Sequence, residues 1–557
     1  MRKLVVLCVA AAMLLGLALP AAPEARAADI KIVGAVSVSG YDGLKADLDL
    51  MADMIGRPEM GKMADGMIAL ATQGRGLKRL DRTRPWGMLV GTDGEHVGGC
   101  AFVPVSDMKA VMGVLKGIAK DKVKEHENGL YEITGPKKTM YVQEKHKGWA
   151  FIVDDPAILE HVPADPAEAL GGLNEQYSMA MRFYPANVPE NVRKEMAKKA
   201  REHAGRHMKR HPRENDRQYE ARQTIARHIR KQMAVGAKDL EEMTVGWKLD
   251  SSGRKGVLEA VFISKKGSET AKFLAPAAKT RTAFGGFALP DASLTMRGTG
   301  RRVPLPEGDI DKLVTSWREE VFGKIDKKAG KGDAEVAKEL IDELLAVVRE
   351  TAKSNRDDGA LSVRLAPEAI TLINGRLVAD GPAIETIVKK AVGLAREKHP
   401  DAVDRIVKLD ADKMGRVNLH LVSLPLDKCP RGEAISGAVG EKLDVVLGFG
   451  PRAVYLAAGR DAMQVLKTAI KDSRAAAKEI VVPVEMTLDL GALATSAAGC
   501  PSEKVQSKGK KALEVLEKAE GCDQIRFTVE AVERGVKLRL ELDEGAFRLM
   551  AECPKRK

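Results

Sequence analysis

The sequence predicts an α+β protein made of two related halves, each an antiparallel sheet built from repeated hairpin–helix units with helices on one face. Three observations carry this. Runs that alternate apolar and polar residues come in pairs joined by short polar turns, as strands with one covered face do. A helical pattern follows most pairs. The arrangement then recurs, with residues 28–300 and 358–557 as N-terminal and C-terminal α+β domains and a charged helical linker over 301–357.

The last unit is the clearest. Ile525, Phe527, Val529 and Ala531 alternate with polar residues, Glu533-Arg534-Gly535 turns the chain, and Val536, Leu538, Leu540 and Leu542 alternate on the return. A short helix is expected from Glu544. Similar units are expected over Thr244 to Leu274, turning at Ser251-Ser252-Gly253, and over Gly359 to Val392, turning at Pro367-Glu368. A further hairpin runs from Ile406 to Leu424. Met140 to Leu159 and Leu443 to Ile470 match more loosely, with helices starting near Asp155-Pro156 and Asp461. Between the halves, Asp309 to Lys353 has a charged helical pattern.

The N-terminus has Arg2 and Lys3, an apolar run of 16 residues from Leu4 to Leu19, and the triplet Ala25-Arg26-Ala27. This is the pattern of a cleaved secretory signal over residues 1–27, and it predicts an exported protein, periplasmic or extracellular. No later stretch reaches the 18 apolar residues that would span a bilayer, so a polytopic membrane protein is excluded. Export allows disulfides, and five cysteines follow the signal: Cys100, Cys429, Cys500, Cys522 and Cys553. Being odd in number, they leave at least one thiol free. The pairing of the last four stays open, and a Cys500–Cys522 bridge needs the chain between them to double back. Cys100, in an apolar run, is expected to be a buried small hydrophobe.

The formal net charge is +12, of which the signal segment carries +2. Between Asn191 and Lys231, fourteen Lys or Arg face five Asp or Glu, a net of +9. This segment predicts a basic arm over residues 190–235, two helices broken at His211-Pro212. Arg206, Lys209, Arg210 and Arg213 are its candidate anion-binding residues, for an acidic polymer, an envelope protein or an anionic membrane surface. Aromatic residues do not interleave with the charges, which argues against nucleic acid. His203, His207 and His211 recur every four residues. Cationic neighbours repel a divalent metal there, so they are weak metal candidates only, and no cofactor is expected.

Motif tests are mostly negative. Gly448, Gly450 and Ala453 outline a dinucleotide fingerprint, but a strand follows rather than a helix, so a hairpin turn explains them better. Asp410, Asp412 and Gly415 mimic the start of a calcium loop, yet Met414 and Leu421 stand where oxygen ligands belong. No nucleophile elbow, phosphate loop or zinc-protease motif occurs. Trp86 is the one candidate for ligand stacking.

Arg84-Pro85-Trp86-Gly87, Ala101 to Val105, Gly148-Trp149-Ala150-Phe151, Asn215 to Arg222 and Gly246 to Asp250 together resemble an uncharacterised family of large secreted proteins found in planctomycete-type bacteria. The resemblance implies export and architecture, and no catalytic residue. The expected function is that of an exported non-catalytic envelope protein that binds a partner protein, an acidic polymer or an apolar ligand. A lipid or hydrophobic-ligand carrier is the alternative, and a hydrolase with dispersed catalytic residues the second.

Overall fold

The computed structural model describes residues 30–552 apart from 72–78, 96, 120–121, 136–137, 147, 196–209, 211–213, 329, 367–368, 428–435, 437–439 and 501. The signal pattern, Cys429, Cys553, the turn Pro367-Glu368, and Arg206, Lys209, Arg213, His203, His207 and His211 lie outside the described residues. The protein is α+β and its strands pair antiparallel. Among the described residues no helix is long and apolar enough to cross a membrane.

The chain forms two compact units. One holds residues 1–206, 239–266 and 537–557, the other 207–238 and 267–536. In the first, the strands follow the order β20 (Gly535–Asp543), β10 (Lys255–Ser264), β9 (Leu240–Asp250), β8 (Met179–Phe183), β1 (Lys31–Val38), β2 (Trp86–Thr92), β3 (Val97–Pro104), β7 (Trp149–Val153), β6 (Thr139–Glu144), β5 (Tyr131–Thr134) and β4 (Val123–Glu125). In the second the order is β14 (Val407–Met414), β15 (Val417–Pro425), β16 (Lys442–Gly450), β17 (Ala453–Gly459), β13 (Ala369–Leu377), β12 (Arg356–Ala366), β11 (Leu294–Arg301), β18 (Val484–Asp489) and β19 (Gln524–Val532).

The pairing pattern repeats. β1 lies between β2 and β8, β2 pairs with β3, β3 with β7, and β7, β6, β5 and β4 follow in turn. β11 lies between β12 and β18, β12 pairs with β13, β13 with β17, and β17, β16, β15 and β14 follow in turn. Helices fill matching slots. Between the first strand and the hairpin stand α1 (Tyr41–Met54) and α2 (Glu59–Ala71) in the first repeat. Later in the first repeat come α3 (Met108–Ala119), α4 (Asp216–Asp239) and α5 (Glu269–Leu274). The charged stretch forms α6 (Glu307–Lys328) and α7 (Lys331–Lys353), in the slot that α1 and α2 occupy. After the hairpins come α8 (Gly381–Lys398), in the slot of α3, then α9 (Pro400–Ile406) and α10 (Ala462–Ala475). Next are α11 (Leu490–Ala498) and α12 (Glu503–Leu516), and α13 (Glu544–Glu552) ends the second repeat.

Each unit has a main core on one side of its strands, and in the first a smaller cluster lies on the other side of β5, β6 and β7, under Met108 and Met112 of α3. In the first, Ala35, Leu89, Cys100, Phe102, Phe151 and Ala180 pack under Leu159, Leu170 and Leu173. Burial pushes the Cys100 thiol up to about 11, so it behaves as a small apolar group. In the second, Ala360, Ile373, Leu419, Val446 and Ala457 pack under Phe284, Phe287 and the Leu466 face of α10. Gly375 is required here, because a Cβ would stand 2.4 Å from the Phe284 ring. Cys500 and Cys522 are both free thiols, so the bridge considered between them does not form.

Candidate functional site

The side of the first sheet opposite its core is as apolar as the core, yet it is left partly open. Alternation sends residues i and i+2 of each strand to one face, so register alone fixes which side chains meet. Across β2, β1, β8, β9 and β10, one ladder reads Trp86, Val38, Met179, Trp247 and Leu258. The next reads Met88, Val36, Met181, Val245 and Ala260, and the third Val90, Gly34, Phe183, Met243 and Phe262. None of these fifteen residues is polar. Met181 and Leu258 are both 40% exposed, while Ser37, Ala180, Thr244 and Glu259 on the reverse side are all buried.

Helices meet this face at its rim. Tyr41 of α1 stacks on Trp86 with ring centroids 6.4 Å apart, and Phe547 of α13 meets Trp247 edge-on at 6.3 Å. The Arg254 guanidinium in the β9–β10 turn pairs with both Glu544 of α13 and Asp53 of α1, which ties the two helices down. Trp86, the residue nominated for stacking, therefore ends the first ladder with one ring face already on Tyr41. Its Nε1 is buried without a hydrogen-bond partner.

The second unit repeats the feature on the matching strands. Across β12, β11, β18 and β19 the ladders read Leu361, Met296, Met486 and Phe527, then Val363, Leu294, Leu488 and Ile525. Met296 is 44% exposed and Val484, on the neighbouring ladder, 38%. Two sets of equivalent strands thus keep a large apolar face with exposed thioethers near its centre. Soluble monomers rarely leave such contiguous apolar surface open unless it binds something.

The titratable clusters are of a different kind. In the second unit Glu385 of α8, Asp410 and His420 bring three donor atoms within 4.8 Å of one another. Asp380 caps α8 by accepting from the Ala383 N–H, and Gly381 lets the helix start against the β16–β17 turn, where a Cβ would stand 1.9 Å from the Gly450 carbonyl oxygen. This placement sets Glu385 over β15, where Asn418 donates to both carboxylate oxygens at 3.1 and 3.2 Å. A bulge between Lys408 and Asp412 puts Asp410 at φ 50°, turning its N–H onto His420 Nδ1 at 2.7 Å. Nδ1 is therefore the acceptor and Nε2 holds the proton in the neutral ring. Nε2 lies 3.3 Å from Glu385 Oε1 without hydrogen-bond alignment.

Lys389 completes the cluster, its ammonium 2.8 Å from Glu385 and 2.9 Å from Asp410. Burial works to raise the Glu385 pKa, but Lys389 and Asn418 outweigh it and bring the carboxyl below its usual range. Lys389 likewise lowers Asp410, and the two carboxylates raise Lys389. Burial holds His420 below the usual imidazole value. The donor set does not suit a divalent metal: the Lys389 charge already stands between the carboxylates, and Nδ1 of His420 is committed to the Asp410 N–H.

The first unit has a comparable buried carboxylate. Glu259 accepts from the Tyr177 hydroxyl at 2.8 Å and from Arg539 at 2.9 Å, and burial with Glu259 pushes Tyr177 up to about 12. Both clusters satisfy their charges internally. A groove of about 290 Å³ between α7 and α8, floored by Val336, Leu340 and Leu394, has an acidic rim that Lys390 and Glu343 bridge at 2.5 Å.

Of the nominated basic residues, Arg210 is described. It donates to the Glu214 carbonyl at 2.9 Å and pairs with Asp216 at 2.7 Å, which anchors it at the start of α4. No protein family, curated protein or solved structure matches this chain.

Proposed function

We propose that this is an exported, non-catalytic envelope protein that binds an apolar, long-chain ligand, of the lipid acyl class, on the open faces of its two sheets. The observation behind this reading is the pair of matching apolar faces on equivalent strands, with Met181, Leu258 and Met296 the most exposed of their ladder residues. Every backbone polar group between paired strands is already used, so such a face has dispersion and desolvation to offer and no directional bonds. Methionine adapts to chains of varied shape, which suits a flexible hydrocarbon. The internally paired clusters around Glu259 and Glu385 favour binding over hydrolysis. Export rests on the N-terminal pattern, and the secreted family it resembles agrees with that.

The test is native mass spectrometry of the protein purified from its own envelope fraction, beside Met181→Asp and Met296→Asp. Two lipid-sized adducts are expected on the parent chain, with one lost in each variant. A bare chain that also fails to bind a fluorescent fatty acid would overturn the reading. So would a dimer that Met181→Asp dissociates, since the face would then be an interface between copies.

A further inference from the structure

We infer that α4 is a surface helix that docks the protein onto an anionic membrane. Its sequence places Ile225, Ile229 and Met233 four residues apart, so they follow one stripe along the helix. A helix that covered a core would bury that stripe. Here the three are 42%, 51% and 68% exposed, rising toward the C-terminal half. Only Thr224 is buried on this helix.

Both ends of α4 are held: its C-terminal end runs straight into β9, where the Asp239 carbonyl accepts from the Lys265 N–H, and its N-terminal end is tied to α6. Arg217 pairs with Glu319 at 2.8 Å, Gln218 reaches Glu320, and Ser316 donates to the Arg217 carbonyl, all on α6. Beyond those contacts, the rest of α4 presents its apolar stripe together with Arg227, Arg230 and Lys231. These three cations have no ion-pair partner among the described residues. At about 100° per residue they lie on the sides and back of the stripe.

This charge chooses between occupants. A second copy of this basic chain would meet α4 with like charge. A neutral apolar partner would leave three cations uncompensated. An anionic bilayer satisfies both features, because the stripe enters the headgroup–acyl boundary while the cations stay among phosphates. The helix is far too polar to span, so it lies on the surface. Docking of this kind would bring a lipid-binding face to the source of its ligand, but the inference does not depend on that face.

The experiment is sedimentation of the full chain with vesicles of phosphatidylcholine alone and with 30% phosphatidylglycerol. Binding to the anionic vesicles only is expected. The variant Arg227→Glu, Arg230→Glu, Lys231→Glu should weaken it at least tenfold. Ile229→Asp with Met233→Asp should do the same, while unfolding at the parent temperature because both sites are exposed. The Arg227→Glu, Arg230→Glu, Lys231→Glu variant should keep both lipid-sized adducts in native mass spectrometry, which separates this inference from the ligand face. Equal binding to both vesicle types would overturn it. So would binding to a soluble polyanion that is insensitive to the Ile229 and Met233 changes.

Discussion

The two repeats solve one packing problem with opposite chemistry. In the first, α3 follows its hairpin and covers the sheet with Met108 and Met112, against Tyr131, Val142 and Ala150. In the second, α8 occupies the same slot and covers it with Glu385, against Asn418 and His420. Met112 and Glu385 are each the fifth residue of their helix, and each is buried. The topology therefore accepts either an apolar or an ionic seam. The ionic seam holds because four partners are supplied together, and it would be costly with any of them missing.

The sharpest way to break the comparison is to move the charge alone. Met112→Glu would place a carboxylate at a 1% exposed site without an amide beside it, and with the nearest lysine, Lys116 one turn on, already paired with Glu125. A loss of about 3 kcal/mol or more is expected, as for an unpaired buried charge. The check is chemical denaturation followed by tryptophan fluorescence, since Trp86, Trp149 and Trp247 all lie in this unit. A change below about 1 kcal/mol would mean that the α3 seam is open to water, and the contrast between repeats would fall.

That contrast was only partly legible in the sequence. Hairpins are local, so the alternation at Ile525 to Leu542 marked β19 and β20 directly, and Gly448 to Ala453 was recognisable as a turn. The slot shared by α6–α7 and α1–α2 depends on which strands pair far apart in sequence. The charged helical pattern makes Asp309 to Lys353 read as a joining segment, with nothing local to tie it to the slot of α1 and α2. The Glu385 cluster was hidden for the same reason, because its residues come from a helix and two strands. Asp410 stood out only as a poor calcium-loop mimic. The available signals were small: a histidine and an asparagine within the apolar strand Val417–Pro425, and a glutamate among the isoleucines of α8. The apolar faces were legible as alternation but not as surface, since a period of two does not say which side a helix will cover.

A milder test sharpens the comparison from the other side. Glu385→Met installs the methionine of the first repeat, leaves Asn418 without its acceptor, removes the carboxylate that faces His420, and leaves Lys389 with Asp410 alone. A loss of about 1–3 kcal/mol is expected, kept to that range because Lys389 is 37% exposed and can turn to water. Adding Asn418→Val and His420→Leu should recover most of it, since a complete apolar seam is what α3 already has. Failure of the triple variant to recover would show that the second slot is shaped for its polar groups.

The smallest expected effect is a pH slope found in one repeat only. His420 is faced by Glu385 and Lys389 from α8 and by Asp410 from β14, and burial holds its pKa below 6.5 in the folded chain. As pH falls through 6.5 the unfolded chain therefore takes up this proton first, and the second unit loses stability. Glu385 and Asp410 act lower. Their depressed values contribute stability that is present above about 4.5 and 3.8 and lost beneath, so between pH 6.5 and 4.5 this cluster's slope belongs to His420. His420→Asn keeps an acceptor for the Asp410 N–H and removes the proton. Amide exchange of β15 should accelerate between pH 7 and pH 5 relative to its intrinsic rate in the parent, and stay flat in the variant. The β5 and β6 amides of the first repeat, under Met112, should show no such slope in either chain. A slope retained by His420→Asn would assign it to other groups, and the polar seam would then differ from the apolar one in composition without differing in its response to acid.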